Sequence, residues 1–189
     1  AYFPILDSPV MSKKYTGTTA IYVNPANPPS SNNFTSLQAA INVFNDKQLD
    51  SYVIIHVSAG ITLNGDITIQ GIHGSGTFVI ECTNTTTKST INGFVKIYNC
   101  TVHIRVDGFV INSQYTSGSN NLITVSMSIY VRIVRCIING NAYTYANVLI
   151  QNGSSLLVDL SEIYNGAYGI LCQATGKAVT WQIKGGGFS

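Results

Sequence analysis

From about Asp50 onward the chain is written in short runs where apolar and polar residues alternate, separated by Gly, Asn and Ser. Strict alternation over four to eight residues predicts strands with one buried face. One alternating unit recurs: Val53-Ile55-Val57, Phe78-Ile80, Ile104-Val106, Val131-Ile133, Val158-Leu160 and Trp181-Ile183. Counted from Val57, its last members follow at intervals of 23, 26, 27, 27 and 23 residues. A second column, Ile69, Ile97, Val125, Ile150 and Cys172, recurs at 28, 28, 25 and 22. In the clearest units an apolar residue follows the first column by three positions (Phe109, Cys136, Ile163), with Asn112, Asn139 and Asn165 shortly after. Two strand columns sharing one drifting period predict a solenoid, because a coil of this length cannot bury its apolar face alone and must stack on the next. The expected fold is therefore all-β, a parallel β-helix of five to six coils, right-handed by the general bias of parallel crossovers. A β-sandwich would place its turns every 8 to 12 residues and would not keep this two-column register.

The stretch before the coils reads differently. Residues 1–35 are rich in Pro, Ser and Asn, with one apolar run, Ala20 to Val23, closed by Asn24-Pro25, and read as an extended arm carrying one short strand. Residues 36–49 place Leu37, Ala40, Ile41 and Phe44 on one face behind Ser36 or Thr35 as cap, which predicts the single helix, set to cover the open edge of the first coil. The solenoid then occupies 50–189, and the ending KGGGFS, just past a strand, is expected to truncate it.

Composition agrees with this reading and removes several function classes. Only 10% of residues are charged, polarity coming instead from 18 Asn, 18 Ser and 18 Thr. That excludes the charge excess of a disordered chain. A net charge of +2 without a basic run gives no nucleic-acid footprint, and no run of 18 apolar residues exists to insert in a membrane as a helix. AYFPILDSPVM lacks the basic and apolar regions of a signal peptide. Cys82, Cys100, Cys136 and Cys172 form no CxxC pair and have no histidine in ligand register, so they are expected as buried free thiols, with disulfides as the alternative in a secreted chain and with no metal and no cofactor.

The runs VRIVRCIINGN (Val131 to Asn141) and VDLSEIYNGAYGI (Val158 to Ile170) resemble the coil repeat of the pectate-lyase-like right-handed parallel β-helix superfamily. The entry IYVNPANPPSSNNFTSLQAAINVF, followed by YVIIHVSAG, is similar to the start of the β-helix in bacteriophage tail fibre and tailspike proteins. The resemblance spans roughly residues 20 to 185. It implies a structural and host-attachment role in a virion tail, as a homotrimer beside other tail proteins and with host surface polysaccharide as a ligand. The alternatives are a polysaccharide-degrading glycosidase or lyase of the same fold and a secreted bacterial adhesin. None of the enzyme motifs of the superfamily transfers: QDT- and DFIFG-like strands are absent, and Asn64-Gly65-Asp66 and His73-Gly74-Ser75-Gly76 match no polygalacturonase motif.

Candidate chemistry is therefore sparse. Glu81 and Asp107 fall at one position in successive coils, about 4.8 Å apart in backbone, a separation that suits a pair of glycosidase carboxylates. Neutralisation by Arg105 or Arg135 is the simpler expectation, and Asp159 with Glu162 is a similar pair. His56, His73 and His103 have no metal-binding spacing. On the outward face the register predicts a column Val79, Arg105, Arg132, Asp159, Gln182 beside His103, Tyr130, Leu157, Thr180, with Val79, Val134 and Leu157 exposed. Stacked Arg105 and Arg132 would repel unless Asp159 or a bound anion relieves them. Arg105, Arg132, Tyr130 and His103 are thus the candidate binding residues.

Overall fold

The structure is a computed structural model and describes residues 14–15, 17–117 and 120–186. It is a parallel β-solenoid of about five turns. Each coil visits three sheets in the same order. The first full coil runs Tyr52–Val57, Thr62–Asn64 and Ile67–Gln70; the second runs Thr77–Cys82, Ser89–Asn92 and Val95–Cys100; each later coil repeats the path. Every strand pairing is parallel, as successive coils of a solenoid require, and the interior is a continuous stack of apolar side chains.

Alternation aims the core. In the first sheet Val53, Phe78, Ile104, Val131 and Leu156 form one inward row, and Ile55, Ile80, Val106, Ile133 and Val158 the next. The third-sheet column is as expected, with Ile69, Ile97, Val125, Ile150 and Cys172 in register. The first-sheet column needs correction at both ends, by two residues at Val57 and Leu160 and by three in the last coil, where Ala178 and Thr180, not Trp181 and Ile183, continue the inward rows. Ile55, not Val57, pairs with Ile80, and Val158, not Leu160, pairs with Ile133. Leu160 sits at the corner between the first and second sheets with φ 48°, the same left-handed position taken by Gly108, Arg135 and Gln182, and its side chain is exposed. A left-handed residue breaks the alternation, so an apolar side chain there leaves the core. Asn64, Asn92, Asn112 and Asn139 stand in register at the end of the second sheet; Asn165 lies one position beyond Tyr164, the partner of Asn139.

The amino-terminal end is closed. The helix is Leu37–Asn42, shorter than 36–49, with Ser36 Oγ accepting the Ala39 N–H at 3.3 Å. Its end tightens onto the Ile41 carbonyl, Asp46 turns left-handed, and Gln48–Leu49 already pairs with Lys14–Tyr15. Leu37, Ala40, Ile41 and Phe44 are all buried, and the Phe44 ring meets Phe78 at 5.5 Å between centroids. Before it, Thr19–Val23 adds a strand to the first sheet and Asn33–Phe34 a short one beyond; residues 1–13 and 16 of the arm lie outside the described residues.

Amide side chains finish the cap. Ile67–Gln70 is the edge strand of the third sheet, and its free backbone groups are met by Gln38 and Asn45. Gln38 Oε1 accepts the Thr68 N–H at 2.6 Å while its Nε2 donates to the Thr68 carbonyl at 3.0 Å. Asn45 Oδ1 accepts the Gln70 N–H at 3.0 Å and its Nδ2 donates to the same Thr68 carbonyl at 3.1 Å. The two amides occupy the place of a neighbouring strand, so the edge offers no template to another chain. Replacing both by alanine removes these four hydrogen bonds to the edge and two more to Asn42 Oδ1, at about 1 kcal/mol each or less. The double variant is expected to melt earlier and to scatter light in proportion to concentration on heating, whereas an unchanged melting curve would show that the helix alone closes the edge.

Candidate functional site

The outward face of the first sheet carries three rows. The register places Val79, Arg105, Arg132, Leu157 and Val179 in the middle row. On one side run His56, Glu81, Asp107, Val134, Asp159 and Trp181; on the other Tyr52, Thr77 and His103, with Ser155 and Lys177 in later coils. Arg105 and Arg132 are adjacent as expected. The rest of the expected column is corrected: Leu157, not Asp159, follows Arg132, Gln182 is a corner residue, and Thr180 faces inward beside Val158. Val79 and Val134 are buried rather than exposed and Leu157 is half-buried, while Val179 and Trp181 are the large apolar residues left open, at 61% and 64%.

Glu81 and Asp107 are paired in register, yet each carboxylate is already engaged. Asp107 is fully buried and accepts from Arg135 Nε at 2.7 Å and Arg135 Nη2 at 2.6 Å, with Arg105 donating a third hydrogen bond. Burial pushes its carboxyl up, but the hydrogen bonds and charges of the two guanidinium groups outweigh this and hold it below its ordinary value. A general acid needs the opposite shift, so Asp107 is unsuited to protonate a leaving group. Glu81 lies 3.2 Å from His56 Nδ1, and His56 stacks on Tyr22. Glu162 accepts a hydrogen bond from the Tyr164 hydroxyl, which lifts the Tyr164 pKa. Among the described residues no three His, Cys, Asp or Glu side chains gather as a metal site. The thiols of Cys100 and Cys136 are buried and pushed up to about 11 by desolvation; Cys82 is also buried and free, but Cys172, expected inside, is exposed.

What the face does build is a groove of about 540 Å³. It is lined by His103, Tyr130, Arg132, Leu157, Lys177 and Val179, with Ser155 and neighbouring backbone. Three of the four residues singled out from sequence meet there. Tyr130 precedes its strand in a left-handed turn at φ 63°, which lays its ring on His103 with centroids 4.6 Å apart and planes 4° from parallel. Arg132 reaches Asp159 at 3.7 Å, a half-exposed pair that solvent screens. Arg105 lies beside the groove, tied to Asp107; its Nε and Asp159 Oδ1 are shielded from solvent with no partner among the described residues. Lys177 and Ser155 were not legible as site residues, because the expected register slipped by two residues in the strand of Ser155 and by three in that of Lys177.

The fold and this face define the class: a β-solenoid protein with an aromatic and cationic groove along one sheet. No protein-family model, curated protein or solved structure matches the chain. Among the described residues no helix is long and apolar enough to cross a membrane.

Proposed function

We propose that the chain is a structural and host-attachment segment of a bacteriophage tail, of tail fibre or tailspike type, carried in the virion as a homotrimer beside other tail proteins, and that its groove holds host surface polysaccharide. The observation that carries this reading is the His103–Tyr130 stack beside Arg132 and Lys177 on a rigid sheet. A flat ring pair offers an apolar platform to a sugar face, and two cations beside it favour a sugar that bears a carboxylate. Every carboxylate among the described residues has a hydrogen-bond or ion-pair partner or other electrostatic contact, which favours binding over cleavage.

The test is binding of the purified chain to panels of uronate- or sialate-bearing and neutral bacterial polysaccharides, with reducing ends measured in parallel. Retention of acidic polymers, weakened by salt and without release of reducing ends, is the expected result. Arg132→Gln and Lys177→Gln should each weaken binding about tenfold. Arg105 is a poor probe, because its loss would also disturb buried Asp107. Equal retention of neutral polymers, or release of reducing ends, would remove this reading. Light scattering on the same material should return three times the chain mass.

A further inference from the structure

Five Asn-Gly steps occur in the chain: Asn64-Gly65, Asn92-Gly93, Asn139-Gly140, Asn152-Gly153 and Asn165-Gly166. Such a step is the most prone to rearrange, because glycine presents its backbone nitrogen without a side chain in the way. That nitrogen attacks the asparagine Cγ, the Cγ–Nδ2 bond breaks, and Nδ2 leaves as ammonia with the proton the glycine nitrogen gives up. Water then opens the five-membered imide at either carbonyl, leaving aspartate or isoaspartate, with no change of oxidation state.

The solenoid guards four of the five steps. Gly65, Gly93 and Gly140 donate their N–H groups to the carbonyls of Asn92, Asn112 and Tyr164 in the following coil, at 2.9, 3.0 and 3.0 Å. Gly153 donates to Ala174 at 3.2 Å. The carboxamides are held as well, Asn92 to Asn64 at 3.1 Å, Asn139 to Asn112 at 3.4 Å and Asn152 to Ser126 at 2.8 Å. Attack needs the nitrogen to leave its acceptor and the carboxamide to swing over it, so each held step must open first.

Asn165-Gly166 differs. Asn165 is exposed with φ 54°, as Asn152 also is, but the Gly166 N–H has no acceptor among the described residues, whereas Gly153 has one. Among the described residues one hydrogen bond restrains the step, from Asn165 Nδ2 to Asn139 Oδ1 at 2.8 Å. We infer that Asn165 is the modification site of this fold, the asparagine that converts spontaneously to aspartate or isoaspartate in the folded protein. The product carries no donor for Asn139, adds a negative charge to the corner, and as isoaspartate lengthens the backbone by one methylene. The last side-chain tie along this corner is then lost.

The experiment compares the folded chain with the same chain in concentrated urea, both aged in mildly alkaline buffer and mapped by mass spectrometry, with isoaspartate read by enzymatic methylation. In urea the five steps should react at similar rates. In the folded chain Asn165 should react about tenfold faster than the other four, the equivalent of roughly one hydrogen bond. Asn165→Gln keeps the donor and cannot close the five-membered ring, so that variant should show no early conversion at this corner. Equal rates at all five steps in the folded chain, or earlier conversion at any of the other four, would overturn the assignment.

Discussion

Truncating Phe78 to alanine is expected to lower stability by about 4 kcal/mol, the largest effect of any single substitution in the coils. Phe78 is fully buried, stands in register between Val53 and Ile104, and meets Phe44 from the segment that closes the amino-terminal end. Its removal opens a cavity where the cap and the first two coils share one cluster. Because coils contact only their neighbours, the damage should stay local. Hydrogen exchange should accelerate across residues 37–57 and 77–82 well before the strands at 155–172 respond. Val179→Ala, on an exposed position of the last described strand of the first sheet, is the control and should change stability by no more than about 0.5 kcal/mol. If exchange rises equally along the whole solenoid, the stack unfolds as one unit and the nearest-neighbour account fails.

Asp107→Ala comes next, with an expected loss of about 3 kcal/mol. The carboxylate is buried against Arg105 and Arg135, and its removal leaves two guanidinium groups facing an apolar gap. The loss falls toward the low end for a broken buried pair because both guanidinium groups reach solvent, at 37% and 40% of the side chain. The pH dependence has a definite sign. The folded-state pKa lies below the ordinary 3.8, so the unfolded chain binds a proton first as pH falls. The contribution of Asp107 is therefore fully present above that value and lost as pH drops through the lower, folded one. Urea denaturation of parent and variant at neutral pH and below pH 3.8 should show the gap between them shrinking in acid. A gap that stays constant would mean that Asp107 acts through packing and not through its charge.

The hydrophobic pattern alone determined the solenoid, its parallel stacking and the helix that closes it. A buried inward column at every coil is a requirement of the fold, and it leaves a period in the sequence. The third-sheet column from Ile69 to Cys172 was legible residue by residue, because its members recur once per coil and stack in direct register. The first-sheet register was not. Alternation has a period of two, so a slip of two residues keeps every side chain on its face and leaves no trace in the pattern. Val57 and Ile55 are both inward, and only the ladder decides that Ile55 meets Ile80. Leu160 shows the second limit. Its apolar side chain reads as core, yet the backbone turns left-handed there, and nothing in a leucine announces that. The same limits governed the site, and in the last coil the slip is three residues, which turns Trp181 outward. Arg105, Arg132, Tyr130 and His103 were placed near one another from sequence, since they lie in coils whose register was right. The tertiary structure alone decided that Asp107 is buried between two arginines, that Lys177 enters the groove, and that Gln38 and Asn45 stand in for a missing strand. Apart from Arg105 with Asp107, those contacts join different coils or the cap and the first coil, through side-chain rotamers and corner angles that the alternation of apolar and polar residues does not encode.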